Sequence, residues 1–294
     1  MALDCTEGVW GLRTRRPCVA GTFYPSDQRE LLKLIENCFT HELGPGKLPQ
    51  KGGGLEEGPP ALLSPHAGYI YSGPVASHGY LLLSERKRPH TVVVVGPNHT
   101  GLGSDVSLYP EGKWLTPLGA IDIDEEFTYS LVRRSERFTI DDYSHANEHS
   151  IEVQLPFLQY VLEGFKLVPI CMLDQSKATS LEVGDALAEA MAGGDALLIV
   201  SSDMTHYEPA EEAKKKDEKV LSAIIALDVG GLYSTIASTG STACGYGPMA
   251  VAIRVAQRLG TKRATVLKYA NSGDIMGDER SVVGYASVAF ERGR

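Results

Sequence analysis

The sequence has few cysteines, no block of basic residues and no long apolar run. Its five cysteines are scattered over 294 residues without a C-x-x-C pair, unlike a disulfide framework or a zinc finger. Acidic side chains outnumber basic ones by 37 to 28, for a formal charge of −9. With this acidic balance and no basic block, the sequence shows no patch that would bind a phosphate backbone, so nucleic acid is not an expected partner.

The aliphatic runs at residues 92–95 and 196–200 are far shorter than the roughly 20 residues that cross a bilayer. No membrane partner is therefore expected. The first residues, MALDCTEGVWGLRTRR, place an acid early and arginines late. A secretory signal has a basic start and an apolar middle, so we expect a cytoplasmic protein.

The overall composition, 43% hydrophobic and 22% charged, is that of an ordinary globular protein. We predict a flexible tail at residues 1–15 and a single domain at residues 16–294. The segment 44–60 is dense in Gly and Pro and cannot hold a helix or a central strand, so we predict a surface loop there. The residues before this loop hold one amphipathic stretch, near 30–39, and are too few for an independent core.

After the loop, short apolar runs alternate with helical patterns. The runs predict strands at residues 61–63, 91–95, 106–109, 166–173, 196–200, 264–269 and 281–290. Helices are predicted at residues 75–84, 125–134, 151–162, 181–191, 210–227 and 248–259. Continuous apolar runs bounded by turn residues suit strands that are buried on both faces. The predicted fold class is α/β, a three-layer α/β/α domain with a central sheet that is mostly parallel or mixed.

Three of the predicted strands end in a small-residue turn that carries a histidine. The segments are LLSPH at residues 62–66, VVGPNH at 94–99 and IVSSDMTH at 199–206, and they end at His66, His99 and His206. In open α/β sheets, ligands bind beyond the carboxyl ends of the strands. These histidines are therefore expected to converge if the three strands are parallel neighbours.

Cys244 has a setting that the other cysteines lack. It lies in GSTACGYGP at residues 240–248, just before a helical pattern in which Pro248 fits the first helical position. A thiol near a helix N-terminus feels a positive partial charge, which favours the thiolate that binds metals or acts as a nucleophile. Cys244 is therefore a candidate ligand, and the other cysteines are expected to be small buried apolar residues.

A second motif competes with this set. HANEH at residues 145–149 fits the pattern H-x-x-E-H, in which two histidines one helical turn apart bind zinc and the glutamate acts as a base. Against this interpretation, Asp141, Asp142 and Asn147 favour a turn, which would take His145 out of helical register with His149. Zinc hydrolysis through this segment remains an alternative function.

Six motifs, in order, resemble those of the Memo family, which is named after a mediator of growth-factor-driven cell motility. They are AGTFYP at residues 20–25, PHAGYIYSG at 65–73, GPNH at 96–99, EHSIE followed by LP at 148–156, SSD followed by His at 201–206, and CG at 244–245. The resemblance extends from about residue 16 to the C-terminus. The family in turn is similar in fold to the class III extradiol dioxygenases, non-haem iron enzymes that open catechol rings.

The resemblance implies a metal site and an acid/base residue. His66 and His99 match the two metal histidines, Cys244 matches the third ligand of Memo proteins, and His206 matches the acid/base histidine of the dioxygenases. Those dioxygenases use a carboxylate as the third ligand, and here a thiolate would replace it. Two imidazoles with one thiolate suit iron, copper or zinc, so the ligand set narrows the metal without identifying it.

Other residues near these motifs are expected to support the site. Asp203 lies three residues before His206, and we predict that the two share one face of a first helical turn, so that Asp203 orients His206. Four more residues are expected to line the crevice and contact substrate: Glu148, His149, Tyr69 and Tyr71.

Together these features predict a metal-dependent redox enzyme of unknown substrate. Iron(II) or copper is the expected cofactor, with zinc as an alternative, and a small organic molecule or dioxygen would occupy the open metal positions. The alternative from another class is a non-enzymatic module that binds a peptide or protein in the same crevice. Eukaryotic Memo proteins are described as binding phosphotyrosine-bearing receptor tails, but the clustered arginines that such recognition needs are missing from these motifs.

Overall fold

The computed structural model describes residues 13–50, 54 and 57–292. The strands are β1 (Thr14–Arg15), β2 (Ala61–Ser64), β3 (Thr91–Pro97), β4 (Val106–Leu108), β5 (Lys113–Thr116), β6 (Gly119–Asp122), β7 (Thr139–Ile140), β8 (Lys166–Met172), β9 (Ala196–Ser201), β10 (His206–Glu208), β11 (Thr261–Asn271) and β12 (Val282–Arg292). The α-helices are α1 (Gln28–Thr40), α2 (Tyr69–Ser84), α3 (Glu125–Arg134), α4 (Leu155–Val161), α5 (Lys177–Ala190), α6 (Ala210–Ile225), α7 (Val229–Thr239), α8 (Tyr246–Arg258) and α9 (Ser272–Met276).

The main sheet is mixed, with parallel strands at its centre. Its order is β10-β12-β2-β9-β3-β8-β4-β7, and β11 pairs with β12. The central strands β2, β9, β3 and β8 are parallel, whereas β12 and β4 run antiparallel to their neighbours β2 and β8. The carboxyl ends of β2, β9 and β3 therefore open at the same edge of the sheet.

Helices cover both faces of this sheet, as predicted. Helices α1, α2 and α4 pack together on one face, and α3, α5, α6, α7 and α8 pack on the other. Side chains of β3 alternate between the two cores: Val92 and Val94 belong to the first, Val93 and Val95 to the second. Because successive side chains of a strand point to opposite faces, an unbroken apolar run is what a doubly covered strand requires. The three-layer α/β/α architecture is confirmed.

A small second sheet, in the order β1-β5-β6, lies beside the main one. The predicted tail falls mostly on residues 1–12, which lie outside the described residues. Within the predicted tail, Thr14–Arg15 form β1, and Arg15 is buried against Glu152 and the ring of Trp114. The Gly/Pro-rich segment 44–60 contains no helix or strand among its described residues.

Local signals explain which helix boundaries were predictable. Helix α3 has the predicted limits because Asp124 accepts a hydrogen bond from the backbone N–H of Phe127 at its start. In the predicted helix 151–162, a 3₁₀ turn at Glu152–Gln154 precedes α4, and Pro156 lies in the first turn of α4, where its missing N–H costs nothing. Short strands such as β5, β6 and β10 and the helix α7 were not predicted, because short amphipathic segments lack a long periodic signal.

No helix in the described part of the chain combines the length and apolar character that crossing a lipid bilayer demands.

Candidate metal centre

The candidate site lies at the carboxyl ends of the central parallel strands. His66 follows β2, His99 follows β3, and Cys244 lies just before α8. Both β2 and β3 pair with β9, so the loops after them are close together. One ligand atom from each of the three residues lies within 4.8 Å of the others. The structure therefore brings together the three side chains that the resemblance implies as metal ligands.

Hydrogen bonds fix which nitrogen of His66 faces the site. Nδ1 of His66 lies 2.8 Å from Oγ of Ser201. That hydroxyl donates its proton to the Ser150 carbonyl and accepts a hydrogen bond from the side-chain amide of Gln154, so its remaining lone pair accepts from Nδ1–H of His66. Nε2 of His66 consequently carries a lone pair, and it lies 3.2 Å from Sγ of Cys244. The protein thus presets the tautomer that binds a metal through Nε2.

Glu148 fixes the tautomer of His99 in the same way as Ser201 fixes that of His66. One carboxylate oxygen lies 2.9 Å from Nδ1 of His99, and the other accepts the backbone N–H of the same residue. Burial would raise the pKa of Glu148, but the hydrogen bonds from His99 and from the backbone of Ser150 lower it to about 2. The carboxylate is therefore charged and accepts Nδ1–H, which leaves Nε2 of His99 free for a metal. Carboxylates of this kind orient metal-binding histidines and raise their basicity.

Cys244 is a neutral thiol when no cation is bound. Burial, together with the nearby Asp203 carboxylate, raises the pKa of Cys244 to about 12. Helix α8 begins at Tyr246 with Gly245 as its N-cap, so Cys244 lies next to a helix N-terminus, as the sequence predicts, but its burial favours the neutral thiol. A metal bound here has to displace the proton of the thiol.

Asp203 contacts His66 rather than His206. Its carboxylate accepts the backbone N–H of His66 at 2.8 Å, and burial raises its pKa to about 7 despite the hydrogen bonds from the backbone of His66 and Ala67. The predicted helical turn is absent from this segment, because residues 206–208 form strand β10 and α6 begins only at Ala210. Asp203 therefore holds the loop that carries His66.

Thr242 holds both the backbone and the ring of His206. Nδ1 of His206 lies 3.0 Å from the Thr242 carbonyl, and the backbone N–H of His206 donates to Oγ1 of Thr242. The carbonyl can only accept, so Nδ1 carries the proton and Nε2 is free. Burial lowers the pKa of His206, although the hydrogen bonds to the Thr242 and Met204 carbonyls raise it again in part. Burial is the largest cause that lowers the pKa of His66, and the nearby imidazoles of His149, His99 and His206 lower it further.

His149 lies beside the candidate metal ligands. Its ring centroid is 4.6 Å from that of His99 and 5.4 Å from that of His66, and Phe23 covers it at 4.9 Å. His99, Glu148 and His149 form a second group whose ligand atoms lie within 4.8 Å of one another. Glu148 is buried and bonded to His99 and Ser150, so of the two predicted substrate contacts in this segment His149 is the more exposed one.

The two predicted tyrosines have different positions. Tyr69 is 1% exposed, and its hydroxyl donates to the Val153 carbonyl at 2.7 Å. The expectation that this hydroxyl meets a substrate is not supported, because the phenol points into the core beneath α2. Tyr71 is partly buried and packs against the small cluster that contains Val75 and Tyr285.

His145 does not join the other histidines. It lies in a 3₁₀ turn at Tyr143–His145, its Nε2 is 3.2 Å from the Ser107 carbonyl, and its ring packs edge-on against Trp114. Neither group of potential metal ligands in the described chain includes it. Since His145 and His149 do not share a helical turn, the zinc-hydrolase interpretation of H-x-x-E-H loses its structural basis.

Three residues that position the site were not assigned this role from the sequence: Ser201, Gln154 and Thr242. The sequence shows Ser201 as a polar residue at the end of a buried strand, within the SSD motif, but it does not show that Ser201 contacts the His66 ring. Gln154 and Thr242 gave no signal, because their partners lie 47 and 36 residues away in the chain.

Comparisons with known proteins agree with the motifs. A family model described as "Memo-like protein" matches residues 15–289. A MEMO1 family protein of Methanopyrus kandleri is 50% identical, with 95% of this chain and 99% of that one covered. Another, of Methanothermobacter thermautotrophicus, is 46% identical, with 94% and 99% covered.

A crystal structure of an uncharacterized protein of Escherichia coli K12 superposes with a TM-score of 0.54 at 15% sequence identity, and covers 79% of this chain and 100% of that one. At this identity the likeness concerns the fold alone. The α/β architecture is also consistent with the expected relation to the extradiol dioxygenases. With a family model spanning nearly the whole domain and relatives at 46–50% identity over almost their full lengths, this chain belongs to the Memo family.

Proposed function

We propose that this protein binds iron(II) or copper through His66, His99 and Cys244 and carries out redox chemistry on a small organic molecule. The observation that carries the proposal is the convergence of these three side chains from distant parts of the chain, with their ligand atoms within 4.8 Å. Three protein ligands leave coordination positions open, as in catalytic rather than structural metal sites.

The donor set fits these metals. Both imidazoles have Nδ1–H committed to protein acceptors, so each offers the Nε2 lone pair that a metal needs. Burial lowers the pKa of His66 well below its ordinary value, so protons do not compete for this nitrogen near neutral pH. The thiol of Cys244 adds one soft ligand, which favours copper, zinc or iron over magnesium or calcium.

When bound, iron(II) or copper supplies a redox-active Lewis acid with positions open to substrate and dioxygen. His206 is the acid/base residue in this proposal. Because burial lowers its pKa, it is neutral near pH 7 and accepts a proton at Nε2, while Nδ1–H stays bound to the Thr242 carbonyl. Asp203 and Glu148 act as positioning residues, since each holds the backbone of one metal histidine.

Metal analysis tests the proposal directly. The purified protein is loaded anaerobically with iron(II) or copper(I), freed of excess metal and analysed for its metal content, and oxygen consumption is then followed in the presence of candidate substrates. We expect about one equivalent of metal in the wild type. His66→Ala and Cys244→Ser should each lose most of it.

Two variants outside the site serve as controls. His90→Ala removes an exposed histidine just before β3, at the end of that strand opposite to His99, and Cys18→Ser removes a cysteine outside both groups of ligands. Both should retain metal like the wild type. If no metal binds under anaerobic loading, the proposal is wrong, and peptide binding in the crevice becomes the better hypothesis.

A further inference from the structure

The side chain of Gln175 reaches from the loop after β8 to the start of α8. Its Nε2 donates to the backbone carbonyl of Cys244 at 2.9 Å, and its Oε1 accepts the backbone N–H of Gly247, also at 2.9 Å. Since β8 is parallel to β3, this loop lies at the same edge of the sheet as His99. Gln175 is thus tied to the backbone of one of the three candidate ligands.

The peptide group that joins Cys244 to Gly245 is held on both sides. Its carbonyl accepts the side-chain amide of Gln175, and its N–H donates to Oγ of Ser202 at 2.8 Å. Because a peptide group is planar, two bonds on its opposite edges fix the orientation of that plane. Rotation about the Cα–C bond of Cys244 is limited as a result. The loops after β8 and β9 therefore restrict the direction in which the Cys244 side chain leaves the backbone.

Gln175 is itself held in place by two neighbours. Its backbone carbonyl accepts the hydroxyl of Tyr233, on α7, at 2.7 Å. The backbone of Gly247 comes so close that a Cβ atom there would lie 2.9 Å from Cβ of Gln175, whereas carbon atoms in contact prefer about 3.5–4.0 Å. A side chain at position 247 would therefore push Gln175 away from α8.

A simpler role for Gln175 would be to cap α8. The N-cap residue, Gly245, makes no side-chain cap hydrogen bond, and Oε1 of Gln175 accepts one of the free N–H groups at the helix start. A cap needs an acceptor alone, however, and Gln175 also uses its amide donor on the Cys244 carbonyl. Glutamine carries both a donor and an acceptor, so the donor separates positioning of Cys244 from helix capping.

We propose that Gln175 is a positioning residue for the metal centre, and that its amide holds Cys244 so that Sγ can bind a metal together with His66 and His99. This deepens the proposed function and rests on it, because a positioned thiol serves as a ligand only where a metal binds. Loss of the amide donor should loosen Cys244 and weaken the bond between metal and sulfur.

The test uses cobalt(II) alone as the probe, because a thiolate bound to cobalt(II) gives a charge-transfer absorption band in the near ultraviolet. Full-length wild type, Gln175→Leu, Gln175→Glu and Gln257→Leu are titrated anaerobically, and bound cobalt is measured by metal analysis. Gln257 is the matched control, because it is an exposed glutamine near the other end of α8 whose amide donates to the Leu227 carbonyl. The wild type and Gln257→Leu should agree in affinity and in band intensity.

The variant Gln175→Glu separates the two roles. It keeps an acceptor at the start of α8, where a carboxylate is favourable, and its added negative charge would by itself attract a cation. With the amide donor lost, it should nevertheless bind cobalt(II) about 10-fold or more weakly than the wild type, as should Gln175→Leu. The charge-transfer band per bound cobalt should fall in both variants.

A second substitution disturbs the same contact from α8. Gly247→Ala leaves Gln175 in the sequence but places a Cβ against it. Alanine is favoured over glycine in a helix by about 1 kcal/mol, so α8 itself should not be weakened. Gly247→Ala should still bind cobalt(II) more weakly than the wild type, with a weaker band.

The inference is overturned if both Gln175 variants match the wild type in affinity and band, or if Gln257→Leu loses as much as they do. A loss in Gln175→Leu with unchanged binding in Gln175→Glu would assign Gln175 to helix capping and would also overturn it. A wild type that binds no cobalt(II), or binds it without the band, contradicts the proposed function and this inference with it.

Discussion

At the scale of single residues, the site depends on side chains that touch no metal. Ser201 accepts a hydrogen bond from Nδ1–H of His66 because its own hydroxyl proton is already donated in a hydrogen bond to the Ser150 carbonyl. Glu148 holds His99 in the same way. Each candidate metal-binding histidine is thus oriented by a partner that also selects its tautomer.

Replacement of Ser201 by alanine should weaken metal binding. Without its acceptor, His66 loses the preference for the tautomer with a free Nε2, and affinity should fall about 10-fold or more. The measurement is competition with a metal chelator under anaerobic conditions. Ser64→Ala is the matched control, because Ser64 is buried and pairs with Ser201 in the sheet but does not bond to the His66 ring. An equal loss of metal affinity in Ser201→Ala and Ser64→Ala would contradict the role of Ser201.

His145 should make the protein sensitive to acid. Burial lowers its pKa from the ordinary 6.5 to about 3. Between these values the unfolded chain takes up a proton that the folded protein excludes, so stability falls as the pH drops below 6.5. The contribution should reach about 2 kcal/mol at pH 5.

Urea unfolding at pH 7 and pH 5 tests this expectation. His145→Gln should make the loss of stability between the two pH values smaller by about that amount. His90→Gln, at an exposed position, should leave the difference unchanged. An unaltered pH dependence in His145→Gln would show that this imidazole is not the group responsible.

At the scale of elements, the short strand β1 ties the N-terminal segment to the part of the chain that carries Glu148. Arg15 is buried, pairs with Glu152 and lies 4.4 Å above the Trp114 ring. It also donates to the carbonyls of His145 and Glu148. The contacts of this one side chain therefore add to the short parallel pairing of β1 with β5.

Arg15→Gln should therefore be strongly destabilising. It leaves the buried Glu152 carboxylate without its cation, which costs about 3–5 kcal/mol. Arg13→Gln is the control, because Arg13 forms only exposed ion pairs with Glu111 and Asp142, and these contribute at most about 1 kcal/mol. Chemical unfolding of both variants measures the loss in the free energy of unfolding. Similar losses in the two variants would contradict the role of Arg15.

For the molecule as a whole, we expect metal binding to release one proton, so that metal affinity depends on pH. Burial raises the pKa of the Cys244 thiol to about 12, so the thiol must lose its proton to become a ligand. Affinity for iron(II) or copper should therefore rise by up to about tenfold for each pH unit between pH 6 and 8. Cys244→Ser should abolish this dependence.

The same binding should raise the melting temperature, because a ligand of the folded state alone stabilises it by about 2.7 kcal/mol at 100 times its dissociation constant. Thermal unfolding with and without metal measures the effect. His66→Ala should show no shift, whereas His90→Ala should behave like the wild type. A shift that persists in His66→Ala would place the bound metal elsewhere.

The layers of the fold and the identity of the candidate ligands followed from local patterns in the sequence. Unbroken runs such as residues 92–95 require a strand covered on both faces, and a capping residue such as Asp124 marks where a helix begins. His66, His99 and Cys244 were identifiable because each occupies a local setting that repeats or matches a family motif.

The contacts and protonation of these residues depend on long-range packing, which local patterns do not reveal. The order β2-β9-β3 brings His66, His99 and Ser201 together, and strand order depends on contacts between segments far apart in the chain. Burial favours the neutral thiol at Cys244, because desolvation penalises the charged thiolate. Asp203 contacts the backbone N–H of His66, whereas the sequence predicted a contact with His206. A buried carboxylate accepts hydrogen bonds from the N–H groups around it, and packing rather than sequence spacing determines which groups these are.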